Sequence, residues 1–273
     1  AHRSGCGGCD FQHISLPRQR DLKSDVITEQ FARIAKMDIE VDVEEVAGPL
    51  GWRTRCSAVT TKAGALGFYQ ARSHKIIPVD DCRILVPDMR YSELAQRGAK
   101  GDQRIEISIS NTGERTIATA NARDESPLRV SDGPDVAHYT VGENSFEVSQ
   151  KSFWQSHKDA PRVLTDAVLQ YAQLREGDHV LDLYGGVGLF AASFLSHVGE
   201  TGSVDIVEGS KSATADAARN FAGKSNVHIY TGDVARLITR FSSADVIVLD
   251  PPREGAGKEV AAHCAQLKPR AIV

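Results

Sequence analysis

The chain has 273 residues, which is enough for two domains of ordinary size with substantial cores. Its hydrophobic content of 41% and charged content of 25% are those of a soluble globular protein, and no apolar run approaches the ~20 residues that span a bilayer. The net charge of -4 argues against polyanion binding by the whole surface, and an odd count of five cysteines without a signal-peptide core predicts a cytoplasmic protein with no disulfide framework.

The first motif in chain order is Cys6-Gly7-Gly8-Cys9. Two cysteines separated by two glycines let one tight turn direct two thiolates at a single metal centre. One such pair is half a site, so zinc, an iron–sulfur cluster and a redox dithiol all remain open.

A helix follows this motif. Ser15 as the N-cap and Pro17 just inside the helix start predict a helix that runs to about Met37. Its apolar residues recur at helical spacing and predict a buried stripe. The stripe consists of Leu22, Val26, Ile27, Phe31 and Ile34.

The next part of the chain is rich in short alternating segments, which predict strands, with one helix over 87–99 and a loop over 123–135. The predicted strands are 39–46, 52–61, 66–72, 75–79, 104–110, 115–120, 138–141 and 145–148. Residues 51–83 hold six Lys or Arg side chains and two Asp side chains. The ordinary explanation of such a run is a solvated sheet face.

A glycine turn organises the second half of the chain. The apolar run 180–184 leads into Gly185-Gly186-Val187-Gly188, and a helical stretch then connects to the apolar run 204–208. Strand, glycine turn, helix and strand form the opening βαβ unit of a nucleotide-binding doubly wound sheet. Gly186 and Gly188 let the backbone turn tightly and approach a ligand closely.

Two acids follow strands at places where a ligand would lie. Glu208 comes 20 residues after Gly188, at the end of the second strand, where a carboxylate accepts hydrogen bonds from both ribose hydroxyls. Position 191 is alanine, so the turn lacks the G-x-G-x-x-G spacing, and S-adenosylmethionine is favoured over a dinucleotide. Asp250-Pro251-Pro252-Arg253 follows a further apolar run. Because open α/β sheets bind ligands at the carboxyl ends of their strands, this segment is predicted to join the glycine turn and Glu208 at the ligand site.

Strands and helices alternate from residue 160 to the fifth strand at 271–273. The predicted fold is therefore α/β, with a Rossmann-like doubly wound sheet that is incomplete at its C-terminal end, preceded by a β-rich α+β region. We expect a β-rich domain over 1–150 and a cofactor-binding domain over 151–273. Between them, Phe153-Trp154-Gln155 is most simply explained as an interdomain hinge packed by two aromatic rings.

Six motifs, in this order, resemble those of the RNA uracil-C5 methyltransferases that make 5-methyluridine, and the resemblance covers nearly the whole chain. They are Cys6-Gly-Gly-Cys9-Asp-Phe-Gln12-His13, Cys82 after the basic segment, Phe153-Trp-Gln155, Asp182-Leu-Tyr-Gly-Gly-Val-Gly188, Val207-Glu208-Gly209 and Asp250-Pro-Pro-Arg-Glu-Gly255. The resemblance implies a Rossmann-like methyltransferase sheet preceded by a cluster and RNA-binding domain.

The resemblance also implies two bound groups. Cys6, Cys9 and Cys82 are expected to be three of the four thiolates of a [4Fe–4S] cluster, and the family's remaining ligand would lie just ahead of Ala1. S-adenosylmethionine is expected to contact the glycine turn and several side chains. The cofactor residues are Gln155, Tyr184, Gly186, Gly188, Glu208 and Asp250, with Asp233 at the adenine side.

Uracil C5 is too weak a nucleophile to take a methyl group directly. A cysteine thiolate must add at C6, and a base must later remove the C5 proton. The family places both groups beyond the position of Val273, so we expect a fragment that lacks both ends and has no catalytic residue of its own. Cys264 and Cys56 are interpreted as small buried hydrophobic residues.

RNA is the expected partner, either ribosomal or transfer RNA, with Arg53, Arg55 and Arg72 of the basic segment as its contacts. We expect a monomer that does not bind membranes. Two alternatives are an amino-directed nucleic-acid methyltransferase that uses Asp250-Pro-Pro and a catalytically silent RNA-binding protein. Arg253 argues against the first, because amino-directed enzymes prefer an aromatic residue at that place.

Overall fold

The computed structural model describes residues 5–124 and 126–273. The chain divides into two compact units. The first unit ends its main stretch at Ser108 and includes Ile117–Ser131, and the second comprises Ile109–Thr116 and Asp132–Val273. The functional division at residue 150 stays a prediction.

The first unit contains helix α1 (Leu16–Gln30), which continues as a π-helical turn over Phe31–Ala35, and helix α2 (Tyr91–Arg97). The six strands of its sheet are β1 (Arg55–Thr60), β2 (Leu66–Tyr69), β3 (Ile76–Pro78), β4 (Gln103–Ile109), β5 (Arg115–Asn121) and β6 (Arg129–Asp132). They lie in the order β3-β2-β1-β4-β5-β6, and β1 pairs antiparallel with both β2 and β4. Alternate residues of the central strands, such as Ala58, Ile105 and Ile107, are buried, as the period of two requires.

Three predictions in this unit are wrong. Residues 39–46 form no strand, and Ser24 of α1 instead donates a hydrogen bond to the Val41 carbonyl. The predicted loop 123–135 contains β6. Four of the five residues of the predicted apolar stripe are exposed, with Ile34 at 77% and Val26 at 57%, because helical periodicity shows which residues share a face and not whether another element covers it.

The main stretch of the second unit, from Asp132 onward, contains an antiparallel hairpin of β7 (Val136–Val141) and β8 (Asn144–Ser149), followed by alternating helices and strands. The strands are β9 (His179–Leu183), β10 (Ser203–Glu208), β11 (Val227–Thr231), β12 (Val246–Leu249) and β13 (Ala271–Ile272). The helices are α3 (Ala160–Ala172), α4 (Leu189–Val198), α5 (Lys211–Asn220), α6 (Val234–Leu237) with a 3-10 turn over Ile238–Arg240, and α7 (Gly257–Leu267).

All five strands of the second sheet are parallel, in the order β11-β10-β9-β12-β13. After β9 the chain adds β10 and β11 on one side of that strand, and it then adds β12 and β13 on the other side. The carboxyl ends of β9 and β12 therefore flank the point at which the strand order reverses, where open α/β sheets bind their ligands. The predicted α/β class, a doubly wound sheet with a β-rich region before it, is confirmed.

Both faces of this parallel sheet are buried. Val180 of β9 packs into one hydrophobic cluster with Phe190 and Phe194 of α4, while Leu181 and Leu183 pack into another cluster with Ile238 and Val260. Side chains of successive strand residues point to opposite faces, so a continuous apolar run is what a sheet covered on both sides needs. Among the residues that the structure describes, no helix has the length and apolar character required to cross a bilayer.

Candidate functional site

The glycine turn follows the central strand β9. Tyr184, Gly186 and Gly188 all have positive φ, at 63°, 57° and 91°. A Cβ atom at Gly188 would lie 2.2 Å from Cε2 of Phe221, so only glycine fits between the turn and the end of α5. This close approach leads the chain directly into the first turn of α4, which begins at Leu189.

Side chains from neighbouring elements hold this turn. Glu208 at the end of β10 accepts hydrogen bonds from the Gly186 N–H at 3.0 Å and from the Ser210 N–H at 2.6 Å. Asp182 of β9 accepts from the Ala191 N–H at 3.2 Å. The acid that is predicted to bind a ribose therefore also fixes the backbone of the glycine turn.

Asp182 is a buried carboxyl group in an anionic neighbourhood. Its side chain is 1% exposed, and its Oδ1 atom has no hydrogen-bond partner among the described residues. Burial, together with the nearby charges of Asp250 and Glu208, raises its pKa to about 7. The three carboxyl groups thus lie close enough to interact at the carboxyl ends of β9, β10 and β12, and a ligand with positive charge would relieve their repulsion.

Three more predicted cofactor residues, Tyr184, Asp233 and Asp250, follow strands at the same edge of the sheet. Asp250 follows β12, donates its N–H to the Leu183 carbonyl at 3.4 Å, and has a pKa raised by burial. The Tyr184 hydroxyl lies 3.5 Å from the Ala256 carbonyl, and its pKa is raised by burial and by the charge of Asp233. Asp233 is the N-cap of α6, where its Oδ1 accepts from the Arg236 N–H at 2.9 Å.

Gln155 lies on the segment after β8, next to an aromatic anchor. Trp154 is 4% exposed, and its ring centroid lies 4.6 Å from that of Tyr139 and 5.3 Å from that of Phe146. Phe153 is 67% exposed. One of the two aromatic rings therefore packs on the β7–β8 hairpin of its own unit and the other faces solvent, so the interdomain hinge stays a prediction.

The three predicted metal ligands lie in the first unit. Gly7 donates its N–H to the Tyr69 carbonyl at 2.9 Å, which fixes the Cys6 to Cys9 turn against the end of β2. Burial raises the pKa of Cys9 and of Cys82, and the charges of neighbouring cysteines raise both further. Over residues 5–124 and 126–273, however, no group of three or more His, Cys, Asp or Glu side chains is arranged to hold a metal ion, so the cluster stays a prediction.

The two other cysteines are buried, as predicted. Cys56 of β1 is 7% exposed and burial raises its pKa to about 12, while Cys264 of α7 is 2% exposed with a pKa that burial also raises. Neither thiol is held in the anionic form that a nucleophile needs.

The three predicted RNA-binding arginines differ in their surroundings. Arg53 is partly buried and its Nε donates to the Arg55 carbonyl at 3.0 Å, so it supports the entry into β1. Arg72 is exposed at the turn between β2 and β3, with φ at 54°. Arg72 is thus the member of the set whose side chain can be removed with the smallest effect on the fold.

Sequence reasoning assigns no role to two residues that support the turn. Asp182 is recognised only as the first residue of a motif. An acid inside an apolar strand nevertheless indicates a special role, because burial of a charged group is costly unless a partner compensates it. Asn220, the last residue of α5, donates to the Val187 carbonyl at 3.0 Å. Nothing in the local sequence around Asn220 distinguishes it from a surface residue.

The chain is similar to known methyltransferases. The family model described as Protein-L-isoaspartate(D-aspartate) O-methyltransferase (PCMT) matches residues 138–269. An uncharacterized RNA methyltransferase of Streptomyces coelicolor is 34% identical over 302 residues, covering 98% of this chain and 66% of that protein. One of Streptomyces avermitilis is 33% identical over 302 residues, covering 98% of this chain and 70% of that protein.

The chain thus spans about two thirds of the length of these relatives. A solved structure, the Pyrococcus abyssi tRNA (uracil-54, C5)-methyltransferase in complex with S-adenosyl-L-homocysteine, superimposes with a TM-score of 0.69 at 18% identity, covering 98% of this chain and 76% of that one. At this identity the likeness shows a shared fold.

Proposed function

Because this chain belongs to the RNA methyltransferase family, we propose that the protein transfers a methyl group from S-adenosylmethionine to C5 of a uracil in RNA. The observation that carries the proposal is the meeting of Asp182, Glu208 and Asp250 around a glycine turn at the reversal point of a doubly wound sheet. The Pyrococcus abyssi neighbour is a methyltransferase for C5 of uracil, and the order of six sequence motifs supports the same base.

Each cofactor residue has a proposed task. Glu208 accepts hydrogen bonds from the ribose hydroxyls, and Gly186 and Gly188 allow the ligand to approach the backbone. Asp233 lies at the adenine side, while Gln155, Tyr184 and Asp250 complete the contacts. The sulfonium group of S-adenosylmethionine is a cation, which suits a site in which the charges of Asp250 and Glu208 add to burial in raising the pKa of Asp182.

The proposed chemistry needs a thiolate that this site does not supply. A cysteine sulfur bonds to C6 of the uracil, C5 then takes the methyl group, and S-adenosylhomocysteine leaves. A base removes the C5 proton and the bond between sulfur and C6 breaks, which restores the ring. We propose that both groups lie in the part of the whole protein beyond Val273, since Cys264 is buried in α7.

Further proposals concern RNA and the metal. The target base leaves its stack to reach the cofactor, and Arg53, Arg55 and Arg72 of the first unit contact phosphates. Cys6, Cys9 and Cys82 would supply three of the thiolate ligands of a [4Fe–4S] cluster, whose positive iron ions would stabilise those thiolates. The protein acts as a monomer in the cytoplasm, on ribosomal or transfer RNA.

Mass spectrometry of nucleosides tests the proposal in cells. RNA from a strain lacking the gene should have lost 5-methyluridine at one site, and the intact wild-type gene should restore it. Glu208→Ala in the intact gene should restore much less, because it removes the ribose acceptor and leaves the Gly186 N–H unpaired. Asp166→Ala, at an exposed ion pair on α3, serves as the control and should restore the modification fully. Unchanged 5-methyluridine in the deletion strain would contradict the proposal.

A further inference from the structure

The end of α5 makes contacts to two parts of the chain that are far apart in sequence. The Oδ1 atom of Asn220 accepts a hydrogen bond from the Glu147 N–H of β8 at 2.7 Å. Its Nδ2 group donates to the Val187 carbonyl of the glycine turn at 3.0 Å. One amide side chain therefore joins the β7–β8 hairpin to the turn that precedes α4.

These contacts leave little freedom in the peptide unit between Val187 and Gly188. Its carbonyl accepts from Asn220, and its N–H donates to the Gly185 carbonyl at 2.9 Å. On the other side of the turn, the Gly186 N–H donates to Glu208. The orientation of the turn is thus set by one side chain from β10 and one from α5.

We propose that Asn220 is a positioning residue of the cofactor site, which fixes the Val187 to Gly188 peptide so that the glycine turn has its binding conformation before the cofactor arrives. This inference rests on the proposed function, because it takes the glycine turn as the place where S-adenosylmethionine binds. Preorganisation of this kind raises affinity by removing the cost of ordering the site.

The chemistry of the contact suits an amide. The position must accept from one backbone N–H and donate to one backbone carbonyl, which Asn does with two separate atoms and an ionised Asp of the same length cannot do. A carboxylate would keep the bond from Glu147 but would place negative charge against the Val187 carbonyl. A protonated carboxyl group, in contrast, has a hydroxyl that can donate to that carbonyl.

The hairpin has other attachments to α5, so the turn is the element that depends on Asn220. Asp216 accepts from the Ser149 N–H at 2.8 Å and from the Ser149 hydroxyl. Arg219 donates to Glu147 at 3.1 Å. Loss of the Asn220 contact is therefore expected to alter the turn while the hairpin stays in place.

Asn220→Asp keeps the acceptor for the Glu147 N–H and removes the donor to the Val187 carbonyl at neutral pH. Asn226→Asp is its matched control. Asn226 donates its amide to the carbonyls of Gly199 and Gly202, each at 3.2 Å, at the opposite end of the strands from the glycine turn. Calorimetry with S-adenosylmethionine on the full-length protein at pH 8 should show affinity reduced about tenfold or more in N220D and unchanged in N226D.

Acidification provides a second readout that a purely structural role would not move. As the pH falls from 8 to 4, towards the ordinary aspartate pKa of about 3.9, the introduced carboxyl group takes up a proton, and the affinity of N220D relative to wild type at the same pH should recover in part. Equal affinities of N220D and wild type at pH 8, an equal loss in N226D, or a relative deficit that does not shrink between pH 8 and pH 4 would each overturn the inference.

A milder variant covers the case in which N220D does not fold. Asn220→Ser offers one hydroxyl, which makes at most one of the two contacts well, so its affinity should fall by less than that of N220D while remaining below wild type. Wild-type affinity in N220S would then overturn the inference. Failure of the wild-type protein to bind S-adenosylmethionine would overturn the proposed function together with it, whereas normal wild-type binding with unaffected variants would overturn the inference alone.

Discussion

At the scale of single residues, Asp182 makes the folded protein sensitive to pH. Its pKa rises from 3.8 in the unfolded chain to about 7, because the carboxyl group is buried near two other acids. The folded state therefore keeps a proton that the unfolded state releases, so stability falls as pH rises from about 4 to 7. The contribution lost over that range is at most about 4 kcal/mol.

Asp182→Asn should remove this dependence while keeping an acceptor for the Ala191 N–H. Denaturant unfolding between pH 4 and 8 should show the variant to be more stable than wild type at pH 8 and close to it at pH 4. Asp178→Asn is a control of opposite sign: burial opposes ionisation of Asp178, but hydrogen bonds from Arg270 and Arg175 outweigh it and lower the pKa. Asp178→Asn should therefore lose stability at pH 8. If the free energy of unfolding depended on pH in the same way in both variants, the raised pKa of Asp182 would be refuted.

At the scale of elements, two glycines of the same turn offer a comparison. Both have positive φ, but a Cβ atom at Gly188 would meet Phe221 at 2.2 Å, whereas at Gly186 nothing lies within 4 Å. Gly186→Ala should thus cost only the backbone strain of about 1 kcal/mol, and Gly188→Ala should cost about 3 kcal/mol or more because the α5 end must move. Thermal unfolding of both variants measures the difference, and equal losses would show that Phe221 yields freely.

The sequence was sufficient to predict the parallel sheet, because continuous apolar runs, a glycine turn after β9 and acids at the ends of β10 and β12 are local patterns. It failed where the outcome depends on a partner element. The α1 stripe has the spacing of a buried face, yet Val26 and Ile34 are exposed. The role of Asn220 was equally hidden, since its two partners lie 73 and 33 residues away along the chain.

At the scale of the whole molecule, an iron–sulfur cluster bound by the cysteines of the first unit would colour the protein. Full-length protein purified without oxygen should be brown and contain iron and sulfide, and Cys82→Ser should bleach it. Cys264→Ser replaces a buried thiol of α7 and should leave the colour unchanged. Zinc without sulfide would show instead that the thiols form a structural zinc site.

RNA contact by the first unit is tested through salt dependence. Arg72→Ala should lower RNA affinity and reduce the slope of log K against log salt by roughly 0.7 to 0.9 for one lost phosphate contact. Arg162→Ala removes an equally charged, exposed side chain from α3 and should change neither quantity. An unaltered slope for Arg72→Ala would place that arginine on a solvated face of the protein.

Transfer of the methyl group to C5 of uracil replaces the hydrogen at that carbon, and the fate of this hydrogen is therefore the decisive measurement. Unmodified RNA labelled with tritium at uracil C5 is incubated with the full-length protein and methyl-labelled S-adenosylmethionine. We expect one tritium released to water for each methyl group transferred, because the C5 proton must leave before the product forms. Methyl transfer without release of tritium would contradict it, since the methyl group would then lie on another atom.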